Sequence, residues 1–181
     1  IPSLPASVVR TLTELSDPAT VTSKEEFAER IEKIDEIFSA YGDPRGAFPA
    51  LYKVITNKAV LSVQEGRYED NIWGADLITD FGELYLVNLH GHLTGGQVSP
   101  GWKRYYDLAD NPSVSLERLA SVGATIHLVV DLPDSLARVG TGPERKEDFM
   151  RFGDILLEAY PQMLESADNG LGFDMSNIFG L

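Results

Sequence analysis

A chain of 181 residues, 43% hydrophobic and 24% charged, is long enough for one domain with a sizeable core. Its 15 Lys and Arg stand against 28 Asp and Glu, and the formal net charge of −13 opposes binding to nucleic acid or to an anionic membrane surface. No cysteine is present, which excludes disulfides and thiolate ligands, so any metal would have to rest on His and carboxylate side chains.

No run of about 18 apolar residues exists to form a spanning helix, and the chain lacks the basic and then apolar pattern of a signal peptide. A soluble protein is expected, with cytoplasmic and secreted locations both open. The first residue is Ile1 and not Met, as expected of a processed or edited chain.

Residues 1–22 begin IPSLPAS, with two prolines and two serines among seven residues, and are expected to form an extended arm along the surface. Residues 23–181 are expected to form a single helical domain. Ser23 followed by Glu26 is a capping box, and Phe27, Ile31, Ile34 and Phe38 recur at helical spacing until Gly42. Glu25, Glu29, Glu32 and Asp35 fall on the outer side of that helix. Asp43 and Pro44 repeat the start signal. A second helix is expected from there to about Glu65, with Gly66 as its stop and Phe48, Leu51, Tyr52, Ile55 and Val60 on its inner face. A third begins near Asp70 or Asn71 and runs to about Leu89 or beyond. At roughly 100° per residue its apolar stripe is Trp73, Leu77, Phe81 and Leu84, extended by Val87. Asp80 projects between Val87 and Trp73, Asp76, Glu83 and His90 follow the edge, and Asn88 reads as a hydrogen-bonded core or capping amide.

LTGGQVSPG, residues 93–101, is the clearest loop, and residues 100–110 contain a short helix carrying Trp102, Tyr105 and Tyr106. The next stretch, LERLASVGATIHLVVDLP from Leu116 to Pro133, is apolar around most of a helical circumference. A helix over residues 115–132 is therefore expected to lie in the interior, packed against the helix of residues 71–90 and bent or ended by Pro133. Pro143 opens a last helix through Phe149, Phe152, Ile155, Leu156 and Tyr160, which Pro161 kinks or breaks. Strand alternation and internal repeats are absent, so the fold class is all-α, a single-domain bundle of about five to six helices around a buried central helix.

That central helix places His127 and Asp131 at i and i+4 within its apolar arc. Burial makes unpaired polar groups costly and shifts their pKa values. A carboxylate beside an imidazole fixes the ring tautomer and leaves the other nitrogen free for proton transfer. With Asp80 aimed inward from the third helix, and Ala120, Gly123 and Ala124 permitting close approach, the three groups are expected to meet. His127, Asp131 and Asp80 are thus the candidate catalytic residues. Glu83, Trp102, Tyr105 and Tyr106 are the candidate substrate-binding residues, the aromatic cluster forming a pocket wall or lid beside the glycine-rich loop. The competing readings are a polar pair that only positions the helix, a capping role for Asp131, and a surface salt bridge from Asp80 to Lys58, Lys103 or Arg104.

No cofactor motif is present: P-loop, dinucleotide fingerprint, G-x-S-x-G and H-E-x-x-H are all missing. A divalent metal on His90, His92, His127, Asp80, Asp131 or Glu83 is an alternative, although the Glu-x-x-His pattern of di-metal bundles is absent and His90 and His92 diverge on a helix.

Leu51 and Tyr52, then Phe81, Gly82, Leu84 and Tyr85, Trp102 and Tyr105, IHLVVDLP over residues 126–133, and GDIL over residues 153–156 occur in an order that resembles the bacterial all-helical domain-of-unknown-function family 5995. That resemblance covers about residues 45–158 and implies an all-helical fold. The family motif reads Asn-x-His-x-x-His-Asp-Leu-Pro. Here Thr125 replaces its asparagine and Val130 its second histidine, and Gly153 replaces a later asparagine, so a metal site built on both histidines would be incomplete. The resemblance implies importance for His127 and Asp131 and names no substrate. The expected function is metal-independent acid/base catalysis (cyclisation, isomerisation or hydrolysis) on a small organic molecule. The alternatives are a noncatalytic small-molecule-binding or interaction domain and a His/carboxylate metal protein.

Overall fold

Why the helices begin where they do is visible in their caps. In a computed structural model that describes residues 3–176, Ser23 Oγ accepts the Glu26 N–H at 3.1 Å and opens α2, Lys24–Ala40. The Glu26 carboxylate reaches back to the Thr22 N–H at 2.8 Å, one residue before the partner that a capping box uses. Asp43 caps a 3₁₀ turn, Pro44–Gly46, which leads directly into α3, Ala47–Gln64. Asp70 Oδ1 accepts from Ile72 and Trp73 N–H and opens α4, Asn71–Thr94, which Gly95 ends in the left-handed region at φ 71°. Helix α5 is Pro100–Ala109, and α6 is Leu116–Ile126. A π-helical turn, His127–Asp131, joins α6 to α7, Leu132–Arg138. The last helix, α8, is Lys146–Asn169.

The fold is all-helical and forms a single compact domain; no strand occurs among the described residues. Helix α3 is its hub, packed against α2, α4, α6 and α8. Phe27, Ile31, Ile34 and Phe38 of α2 are fully buried, as their spacing requires, and meet Leu51 and Tyr52 of α3 in the main core.

Four expectations change. An α-helix, α1 (Ala6–Ser16), stands where an extended arm is expected; Pro5 occupies its N-cap, where a missing N–H costs nothing, and Leu12 is fully buried. Ile1, Pro2 and residues 177–181 lie outside the described residues, so neither the start of that arm nor the end of the expected domain is placed. Asp35 is buried instead of facing outward, because Lys53 of α3 reaches its carboxylate at 2.6 Å. Helix α8 continues through Pro161, whose missing N–H leaves the carbonyl of the exposed residue Leu157 without its helical partner, at a place where water can supply one.

The fourth concerns the stretch expected to be a buried central helix. Helix α6 packs against α3 and α5, and the parts of this stretch that meet α4 are the π turn and α7. Gly123 permits the contact with α3: a Cβ there would fall 2.8 Å from the Phe48 side chain. Leu128, Val129 and Val130 are 40%, 66% and 50% exposed, so the apolar run has an outer side. Pro133 accounts for the local geometry. In a regular α-helix its ring would press on the carbonyl of Val129; instead Leu132 N–H bonds to His127 C=O in a wider π-type step, and the helix continues as α7.

Candidate functional site

The π turn carries the pair that the sequence singles out. His127 and Asp131 lie on its inner side, 2% and 4% exposed, and His127 Nδ1–H donates to Asp131 Oδ2 at 2.8 Å. The same oxygen accepts Trp102 Nε1–H from α5, also at 2.8 Å. Trp102, with no exposed surface, fixes the carboxylate, and the carboxylate fixes the ring. Phe81 of α4 stacks on the imidazole, ring centroids 3.8 Å apart and planes 13° apart. Tyr52 and Phe48 of α3 meet it edge-on at 4.6 and 5.4 Å.

Burial among these rings pushes the His127 pKa below its ordinary value, against the upward pull of the Asp131 hydrogen bond and charge. A neutral imidazole bonded through Nδ1–H presents Nε2 as a lone-pair acceptor. That nitrogen is buried and has no hydrogen-bond partner among the described residues. The ring also walls a small cavity of about 50 Å³, whose other walls include Phe48, Tyr52, Phe81, Leu128 and Leu156. Such a space exceeds what one water needs, roughly 10–15 Å³, and is far below the ~300 Å³ of a cofactor pocket.

A pH dependence follows from the buried neutral ring. The unfolded chain titrates His127 near the ordinary 6.5 and the folded chain lower, so its stabilising contribution is full above about pH 6.5 and is lost as pH falls through that value. His92, pushed down by burial and then by the charge of Arg45, acts with the same sign. Asp35 and Glu83, both pushed up by burial, act with the opposite sign at lower pH. Urea unfolding of wild type at pH 7.5 and 5.5 is expected to show a larger acid-side loss than His127→Gln; equal losses would mean that folding leaves the titration of the ring unshifted.

The other expected site residues are placed elsewhere. Asp80 does not reach His127. Its carboxylate pairs with Arg138 of α7 at 3.0 Å near the surface, a partner outside the three considered from sequence, because α4 meets α7 where an approach to α6 is expected. Glu83 sits half-buried beside Asp80 and does not wall the cavity. Trp102, Tyr105 and Tyr106 form no lid: residues 102, 105, 106 and 109 are one helical face of α5 and are buried against α3 and α6. Tyr105 Oη donates to Arg45 C=O at 2.8 Å and accepts Phe48 N–H at 3.0 Å, which secures the start of α3. Tyr106 stacks on His92, 3.9 Å between centroids. His90 bonds to Thr13 C=O of α1 at 3.0 Å. Among the described residues no three His, Asp or Glu side chains are grouped to hold a metal ion. Asn88 behaves as its pattern implies, its Oδ1 accepting Ser99 N–H at 2.7 Å just before α5.

The rings around His127 escaped the sequence reading, as did the Trp102 bond to Asp131. A usable signal existed for the latter, since an indole N–H in an apolar helix face needs an acceptor when buried.

A family model matches residues 25–178, including α2 to α8 and the π turn. The chain belongs to the family of unknown function DUF5995. No curated protein and no solved structure matches it. Within the DUF5995 chain, Val130, where the motif resemblance would put a second histidine, is half exposed while His127 is buried. A histidine at that position would lie on the outer side of the turn, apart from the imidazole. No helix among the described residues is long and apolar enough to cross a membrane.

Proposed function

We propose that this protein is an acid/base enzyme acting on a small organic molecule, with His127 Nε2 as the proton acceptor. The observation that carries the reading is a buried imidazole with one nitrogen fixed by Asp131 and the other unpartnered in a cavity-lining ring. Buried acceptors are nearly always satisfied, and an exception calls for a reason such as a catalytic role. Asp131 orients the ring and stabilises the imidazolium that proton uptake creates, and Trp102 holds Asp131 in place. Of the three reaction types considered, isomerisation and cyclisation fit best. Hydrolysis at a carbonyl needs donors for an oxyanion, and no charged side chain lines the cavity. Noncatalytic small-molecule binding is the second reading, favoured by the small volume and apolar walls. Incubation with a library of small neutral compounds, followed by chromatographic separation and proton NMR of the products, which distinguishes isomers of equal mass, separates the two. Product formation that disappears in His127→Gln while helical circular dichroism is retained is the expected result. Product formed equally by the variant would remove His127 from the chemistry.

A further inference from the structure

The cavity beside His127 also constrains what can approach it. Its walls that reach the surface are Ile55, Ala124, Leu128 and Leu156, contributed by α3, α6, the π turn and α8. All four are aliphatic. Next to them in sequence, Val129 is 66% exposed, Val130 50% and Leu157 on α8 68%. In the wall itself the polar side chains are His127 and Tyr52, and neither a cation nor an anion is present to pair with a charged ligand. Moving an ion into such surroundings without a partner is strongly unfavourable. The buried Nε2 lone pair requires a donor.

We infer that the site takes a neutral, largely apolar ligand that presents one hydrogen-bond donor to His127 Nε2 and lays an aliphatic body between Leu128 and Leu156. This deepens the acid/base reading and rests on the same imidazole. It follows that the group losing its proton would be an O–H, N–H or activated C–H at the end of an apolar molecule. Carboxylates, phosphates and ammonium compounds are discriminated against. At about 50 Å³ the cavity accepts only the head of that molecule, so the body must lie against the aliphatic rim.

Normal alcohols from ethanol to 1-hexanol, with hexanoate and hexylammonium as charged counterparts, provide the test. Binding is read by NMR from the ring resonances of Tyr52 and Phe81, which wall the cavity and are present in every variant. Affinity is expected to rise with each added methylene, by at most about three- to fourfold, and 1-hexanol is expected to bind at least tenfold more tightly than either ion. Leu128→Asp should flatten the dependence on chain length, and His127→Phe should remove the preference for the alcohol over hexane. Absence of alcohol binding, affinity independent of chain length, or an ion that binds as well as the alcohol would each overturn the inference. The readout requires no turnover. Alcohol binding without any His127-dependent reaction would leave this ligand class standing and remove the catalytic reading, whereas His127-dependent turnover of a charged compound would do the reverse.

Discussion

Replacing Asp131 by Ala is expected to lower the unfolding free energy by about 3–5 kcal/mol, the range for removing one member of a buried, hydrogen-bonded polar pair. One oxygen of this carboxylate accepts both Trp102 Nε1–H and His127 Nδ1–H at 2.8 Å. Its loss leaves two donors in the core without an acceptor, each costing about 1–3 kcal/mol. Asp131→Asn is the informative companion. An amide that places its oxygen toward the two donors keeps both bonds, so most of the stability should return, while the negative charge that favours imidazolium is gone. Urea unfolding of the two variants measures the first effect. The His127 ring pKa, followed by NMR, should fall further in the Asn variant, since the upward influence of Asp131 is removed. Equal, small losses of stability in Ala and Asn would show that Asp131 organises nothing.

Trp102→Ala is expected to be similarly damaging, at about 3–5 kcal/mol, because a large fully buried aromatic leaves a cavity that the surrounding helices refill only partly. Its ring lies 5.1 Å from Phe48, 5.3 Å from Tyr85 and 5.4 Å from Tyr105, so one side chain joins α5 to α3 and α4. Trp102→Phe separates packing from hydrogen bonding. It keeps an aromatic ring but deletes the indole N–H, and a loss of about 1–3 kcal/mol is expected, some of it from the acceptor left short of a donor. Combined with Asp131→Ala in a double-mutant cycle, the two changes should be non-additive, since each removes the same hydrogen bond. Additive losses would mean that the Trp102 to Asp131 contact contributes nothing to stability.

These two residues also show where the sequence was legible. His127 and Asp131 stand out because a helix-spaced pair of titratable groups inside an apolar run is rare enough to notice, and their spacing of four brings them onto one side of a helix whether its turn is α or π. Trp102 reads from sequence as a pocket wall or lid, because an aromatic helix beside a glycine-rich loop fits that role as well as a core. Only the direction in which α5 packs distinguishes the two. Asp80 failed for the same reason. The helical repeat places it between Trp73 and Val87, but its partner in the fold is Arg138 of α7, and Val87 itself is 44% exposed.

What the sequence by itself determined is the local part of this DUF5995 protein: the capping signals at Ser23, Asp43 and Asp70, the left-handed stop at Gly66, the apolar face of α2, the all-helical class and the i, i+4 pairing of His127 with Asp131. Each depends on residues a few positions apart, and the helical repeat turns that spacing into geometry. Tertiary structure alone decided which faces meet. It brought Phe81, Tyr52 and Trp102 around the imidazole, sent Asp80 to Arg138, buried Asp35 against Lys53, and turned Leu128 to Val130 outward at the π turn. Those outcomes depend on how helices far apart in sequence fit ridge to groove and on where a buried polar atom finds its partner.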